Sequence, residues 1–68
     1  MRNKSAVLTR RQLIDDAVSL VKSKQRGGMD VDAMAEKLLA VPVTIQRWID
    51  GDTLPSATMA RRILRDLK

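Results

Sequence analysis

All three glycines and both prolines of this 68-residue chain fall between residues 27 and 55. Glycine enters left-handed backbone conformations freely, and proline lacks an N–H, so these residues mark where regular structure stops or starts. Gly27-Gly28, Pro42, Gly51 and Pro55 each stand where an apolar helical period ends or begins. The punctuation therefore predicts four short helices and excludes a long one. Thr9 followed by Gln12 is a capping box that starts the first helix, over 10–25. Leu13, Ile14, Ala17, Val18 and Val21 form its apolar stripe, with Leu20 close to it. Asp30 caps the second helix, over 31–38, with Met29 and Met34 as a hydrophobic staple. Ala35, Leu38 and Leu39 continue that face.

Pro42 is disruptive inside a helix but suits a first turn, where its missing N–H has no partner anyway. A third helix therefore begins at Pro42, carries Ile45, Trp48 and Ile49 on its apolar side, and ends at Gly51, spanning 42–50. Ser56 caps a fourth helix over 57–67, with Met59, Ala60, Ile63, Leu64 and Leu67 inward and Arg61, Arg62 and Arg65 off that stripe. Residues 1–8 show no period and read as a flexible N-terminal arm. The expected fold is one all-α domain, residues 1–68, a compact bundle of about four helices. A core this small supports a stability of ~3–5 kcal/mol.

Composition narrows the chemistry. The chain has no cysteine and no histidine. It thus lacks the commonest metal ligands and the commonest general base. Asp15-Asp16 diverge around the first helix, Asp30 is a cap, and Asp32 suits a first helical turn by the helix dipole. No catalytic residue, metal site or cofactor is expected, and an enzymatic role is rejected. One aromatic, Trp48, does not make a base-stacking platform for single strands. No apolar run approaches the ~18 residues of a membrane span, and no signal-peptide pattern is present, which points to the cytoplasm. The formal net charge is +5, which favours a polyanionic partner. Residues 1–28 hold seven basic and two acidic side chains, residues 29–52 two and five, and residues 53–68 four and one. A net −3 middle therefore lies between ends of +5 and +3, so the ends must supply most contacts to any phosphate backbone.

Two short helices joined by about three residues make a helix-turn-helix unit. Such a unit needs a small residue where its helices cross, which is Ala35. It needs an apolar pin in its second helix, which is Ile45, and an anchor to the other helices, which is Trp48. The stretch from Met34 to Ser56, "MAEKLLAVPVTIQRWIDGDTLPS", resembles lambda-repressor/Cro-type helix-turn-helix domains, and the likeness extends over about residues 10–67. The resemblance rests on Ala35, Ile45, Trp48, Gly51, Pro55 and Ser56 together. It departs from the pattern at Leu39, where glycine is usual, and at Val41, where a polar cap is usual. Pro42 and Val43 replace the usual hydrogen-bonding side chains.

The resemblance implies a small DNA-binding transcriptional regulator of the repressor kind, from a phage or plasmid, with helix 42–50 in the major groove. Val43, Thr44, Gln46 and Arg47 are the candidate base contacts. Arginine pairs with guanine O6 and N7, glutamine with adenine, and an apolar side chain packs on a sugar or a thymine methyl. Arg10, Arg11, Lys22, Lys24 and Arg26 are the candidate phosphate contacts, with Arg2 and Lys4 as a minor-groove arm. The expected partner is double-stranded DNA, bound by a monomer or weak homodimer that pairs on DNA. An excisionase or MerR-like domain is a rival, but those carry a strand hairpin where Ser56 to Lys68 here has a helical period. A protein-binding adaptor is the other, because Val41, Pro42 and Val43 would form an exposed apolar patch.

Overall fold

The computed structural model describes residues 9–68, so the arm and its Arg2 and Lys4 lie outside the described residues. Four helices follow one another: α1 over Arg10–Arg26, α2 over Val31–Leu38, α3 over Pro42–Asp50 and α4 over Ala57–Asp66. No strand occurs among the described residues. The expected bounds hold to within one residue. α1 runs one residue further, and α4 stops one sooner, where Leu67 closes it in right-handed conformation.

Starts and stops follow local chemistry. The Thr9 hydroxyl accepts from the Gln12 N–H while the Gln12 side chain accepts from the Thr9 N–H, which closes the capping box. Asp30 caps α2 through the Ala33 N–H at 2.8 Å, and Ser56 caps α4 through the Met59 N–H at 3.1 Å. Three helices then end on the same device, in which a left-handed residue lets two N–H groups fold back onto the last turn. After α1 the left-handed residue is Gly28, at φ 110°, and Gly27 stays right-handed. After α3 it is Gly51, at φ 86°. After α2 it is Leu39, at φ 56° and ψ 42°, whose N–H donates to Glu36 O while that of Ala40 donates to Ala35 O.

Leu39 is the one described non-glycine residue with positive φ. Left-handed backbone costs an L-residue roughly 1–2 kcal/mol, because Cβ crowds the following carbonyl. Leu39→Gly is therefore expected to stabilise the fold by about 1 kcal/mol, net of glycine's greater freedom when unfolded. For a domain this size that raises Tm by ~4–8 °C, measured by circular dichroism. A lower Tm would show that the Leu39 side chain stabilises the turn.

The helices pack as two pairs, α1 with α4 and α2 with α3, joined by smaller α1–α3 and α2–α4 contacts. One buried cluster holds them together: Ala17 and Val21 of α1, Met34, Ala35 and Leu38 of α2, Ile45 and Trp48 of α3, Ala60 and Ile63 of α4, and Leu67 just after it. Met29 packs against this cluster, of which the fully buried Met34 is a member. Along α1 it is Leu20, not Val18, that joins the packed face with Leu13 and Ile14.

Arg62 has a role that its position off the apolar stripe did not foretell. Its guanidinium crosses from α4 to donate to the Leu38 carbonyl at 3.0 Å, in a half-buried setting. That carbonyl belongs to the last turn of α2, where a cation is favoured by the helix dipole. The bond ties the α2–α3 turn to α4. Arg62→Met keeps much of the aliphatic stem and removes the donors, so it should cost about 1–2 kcal/mol. Urea melts should show a lower midpoint with an unchanged slope. The neighbouring Arg65 pairs with Asp66 at 3.0 Å, and this hydrogen bond holds the Asp66 carboxyl below its ordinary range.

Candidate functional site

α3 meets the rest of the protein along one narrow line. Ile45 and Trp48, one turn apart, are buried, and Trp48 is only 4% exposed. Ile49 packs partly beside them. At about 100° per residue, the opposite ridge carries Val43, Arg47 and Asp50, flanked by Thr44 on one side and Gln46 on the other. Val43 is 54% exposed, and Arg47 and Asp50 are also exposed, while Thr44 and Gln46 are half-buried. The ridge thus reads apolar, positive, negative from its N-terminal end.

The polar side chains differ in freedom. The Gln46 amide donates to the Asp50 carboxylate at 3.0 Å, a bond between successive turns that holds it toward the C-terminal end of α3. This bond leaves the Gln46 carbonyl oxygen and one N–H unused. Arg47 has no carboxylate partner, because Arg65–Asp66 is the only ion pair among the described residues. Asp50 lies seven residues beyond Val43, ~10 Å further along the axis. A helix that enters a groove by its N-terminal end would therefore keep this carboxylate away from the groove floor.

The N-terminal end of α3 is built unlike the others. Val41 stands at the cap position in extended conformation and makes no side-chain cap hydrogen bond. The Thr44 N–H, which a cap side chain would otherwise hold, turns back to the Val41 carbonyl instead, at 3.0 Å. A polar cap typically contributes about 1 kcal/mol, which this helix forgoes. Val41 is 59% exposed and Leu39 83%, so the apolar patch expected from the sequence is present and includes the turn residue.

The five candidate phosphate contacts do not form one cluster. Arg10 and Arg11 begin α1, whereas Lys22, Lys24 and Arg26 end it. Along a helix the two groups lie ~20 Å apart. Arg10 and Arg11 share a cleft with Ile14, Asp15 and Leu54, which places them beside the loop after α3. Lys24 is half-buried and the other four are exposed. The N-terminal end of α2, which faces Gln25 and Met29 across a shallow cleft, carries Asp30 and Asp32. Its own carboxylates already occupy the position where a helix would otherwise attract a phosphate.

Among the described residues no group of three or more carboxylates, histidines or cysteines comes together. No described helix is long and apolar enough to cross a membrane. Comparison with protein-family models, with curated proteins and with solved structures finds no match.

Proposed function

We propose that this chain is a helix-turn-helix protein that binds double-stranded DNA as a small transcriptional regulator, with α3 in the major groove. The observation that carries this reading is the one-sided burial of α3. Two side chains fix it to the core, and a full ridge from Val43 to Asp50 is left to solvent. It is joined to α2 by only Leu39, Ala40 and Val41. Every surface helix leaves one face to solvent, and what favours this reading is that the face here carries Arg47 with no carboxylate partner, one turn from Val43. In such a unit the N-terminal residues of the second helix contact base edges. Arg47 is then the guanine reader, with Gln46, turned by Asp50, and Thr44 contacting neighbouring bases or phosphates. The two cationic ends of α1, lacking carboxylate partners, would meet phosphates on either side. A weak homodimer that pairs on two half-sites about 10 base pairs apart fits this docking.

The test separates base reading from phosphate contact. Arg11→Ala and Lys22→Ala should each weaken binding to all duplex sequences alike. Each should also lower the slope of log K against log salt by about one unit, the effect of one lost phosphate contact. An unchanged slope for both would remove α1 from the interface.

The exposed patch at Leu39, Val41 and Val43 favours a second reading, an adaptor that binds a protein through the start of α3. An apolar protein interface would hardly respond to salt, whereas counterion release makes duplex binding strongly salt-dependent.

A further inference from the structure

Two exposed ridges outside the α3 site carry opposite charges in the same register. On α2, Asp32 and Glu36 are exposed and one turn apart. On α4, Arg61 and Arg65 are exposed and one turn apart. Residues four apart on a helix lie ~6 Å along the axis and ~40° around it, so each pair projects together. Asp32, Glu36 and Arg61 have no ion-pair partner among the described residues. Arg65 donates one N–H to Asp66, yet its side chain stays 71% exposed and its other donors remain.

The two ridges do not face each other within one chain. α4 meets α2 through Arg62, which donates to the Leu38 carbonyl. Asp66 stands on the same flank of α4. Its carboxyl is held below the ordinary range first by the Arg65 hydrogen bond, and further by the charges of Arg62 and of Lys37 on α2. Around α2, Glu36 and Asp32 lie ~100° and ~140° from Lys37. Around α4, Arg61 and Arg65 lie ~100° and ~60° from Arg62. Both ridges are therefore turned off the flanks by which these helices meet.

We propose that these ridges join neighbouring copies of this chain head to tail along a duplex, the Asp32–Glu36 ridge of one copy against the Arg61–Arg65 ridge of the next. The inference rests on the duplex-binding reading and adds how bound copies cooperate. A second copy is the partner that fits, because it presents both ridges at equal spacing and with opposite sign. A polyanion would suit only the arginines and would repel the carboxylates. Joining two different patches makes a heterologous contact, which propagates in one direction and does not close a two-fold pair. Exposed ion pairs are weak, so the contact does not hold copies together in free solution. On a duplex, adjacent copies meet at roughly millimolar effective concentration, where a weak contact registers.

The test begins with the best-bound sequence from a random duplex pool. That sequence is placed once, or twice as a direct repeat at spacings that cover one turn of DNA, and binding is followed by gel shift at low salt. On the best-spaced repeat the second copy should bind about five-fold tighter than a copy on the single site, the effect of two exposed ion pairs. The gain should shrink as salt is raised. Asp32→Lys with Glu36→Lys should abolish it, and so should Arg61→Glu with Arg65→Glu. The neutral pair Asp32→Asn with Glu36→Gln, milder on the first turn of α2, should abolish it as well. All four reversals in one chain should restore it, which neither a lost fold nor a lost phosphate contact would do. Equal gain for the parent and every variant, or no restoration by the four reversals, overturns the proposal while leaving duplex binding in place. Recovery of no preferred duplex, with binding insensitive to salt, overturns the duplex reading and this inference with it.

Discussion

Trp48→Ala is expected to unfold most of the protein at room temperature. Trp48 is the only aromatic residue, and it is buried in the cluster that joins all four helices. Removing so large a buried side chain costs about 3–5 kcal/mol, from lost burial and from the cavity left behind. The whole domain has only ~3–5 kcal/mol to lose. The far-ultraviolet circular dichroism signal should then drop at 25 °C, and the sharp melt should disappear. Trp48→Phe, which refills part of the space, should retain a cooperative melt at lower temperature. An alanine variant that melts cooperatively within a few degrees of the parent would contradict the central place given to Trp48. It would also contradict the view that Ile45 and Trp48 are what chiefly fix α3 to the core.

Arg47→Ala carries the second large effect, on binding and not on folding. Arg47 is exposed, and among the described residues it has no ion-pair partner, so its loss should change stability by less than about 0.5 kcal/mol. On the preferred duplex it should cost about 1–3 kcal/mol, a loss of roughly 5- to 150-fold in affinity. Preference at one base pair should relax at the same time, because the bidentate contact to guanine is gone. On unrelated duplexes the same variant should lose little beyond the non-specific attraction of one positive charge to the phosphate backbone. Unchanged affinity on the preferred sequence would take α3 out of the groove. If Val43→Asp then abolished binding of a defined protein partner, the adaptor reading would replace the duplex reading.

Most of the fold was legible because its signals are local. Thr9, Asp30 and Ser56 cap through bonds to residues three positions on, so each is written within one turn of chain. Pro42, Gly28 and Gly51 act through their own backbone conformation. Apolar spacing alone predicts Ala35, Ile45 and Trp48 as core residues, and all three are buried. What stayed hidden depends on distance or competition. The bond from Arg62 to the Leu38 carbonyl joins residues 24 positions apart. Its one sign in the sequence is that Arg62 borders the α4 stripe, between Met59 and Asp66. Gln46 and Asp50 stand at the right spacing for a helical pair, yet their bond became apparent only in the structure. Leu39 belonged to the apolar face of α2 by period, but the turn claimed it and left it 83% exposed. Base-contact candidates could be placed on one helix from spacing alone. The separation of the α1 cations into two end groups follows simply from the length of a 17-residue helix.

The measurement that bears most directly on the account is a salt series of duplex binding by the intact chain. Affinity for the best duplex from a random pool would be followed by fluorescence anisotropy from about 50 to 200 mM salt. Two to five phosphate contacts predict a straight line of log K against log salt with a slope of roughly −2 to −5. The preferred duplex should also stay tighter than a scrambled one at every salt concentration. A slope near zero, or equal affinity for preferred and scrambled duplexes throughout, would contradict the placement of α3 in the major groove.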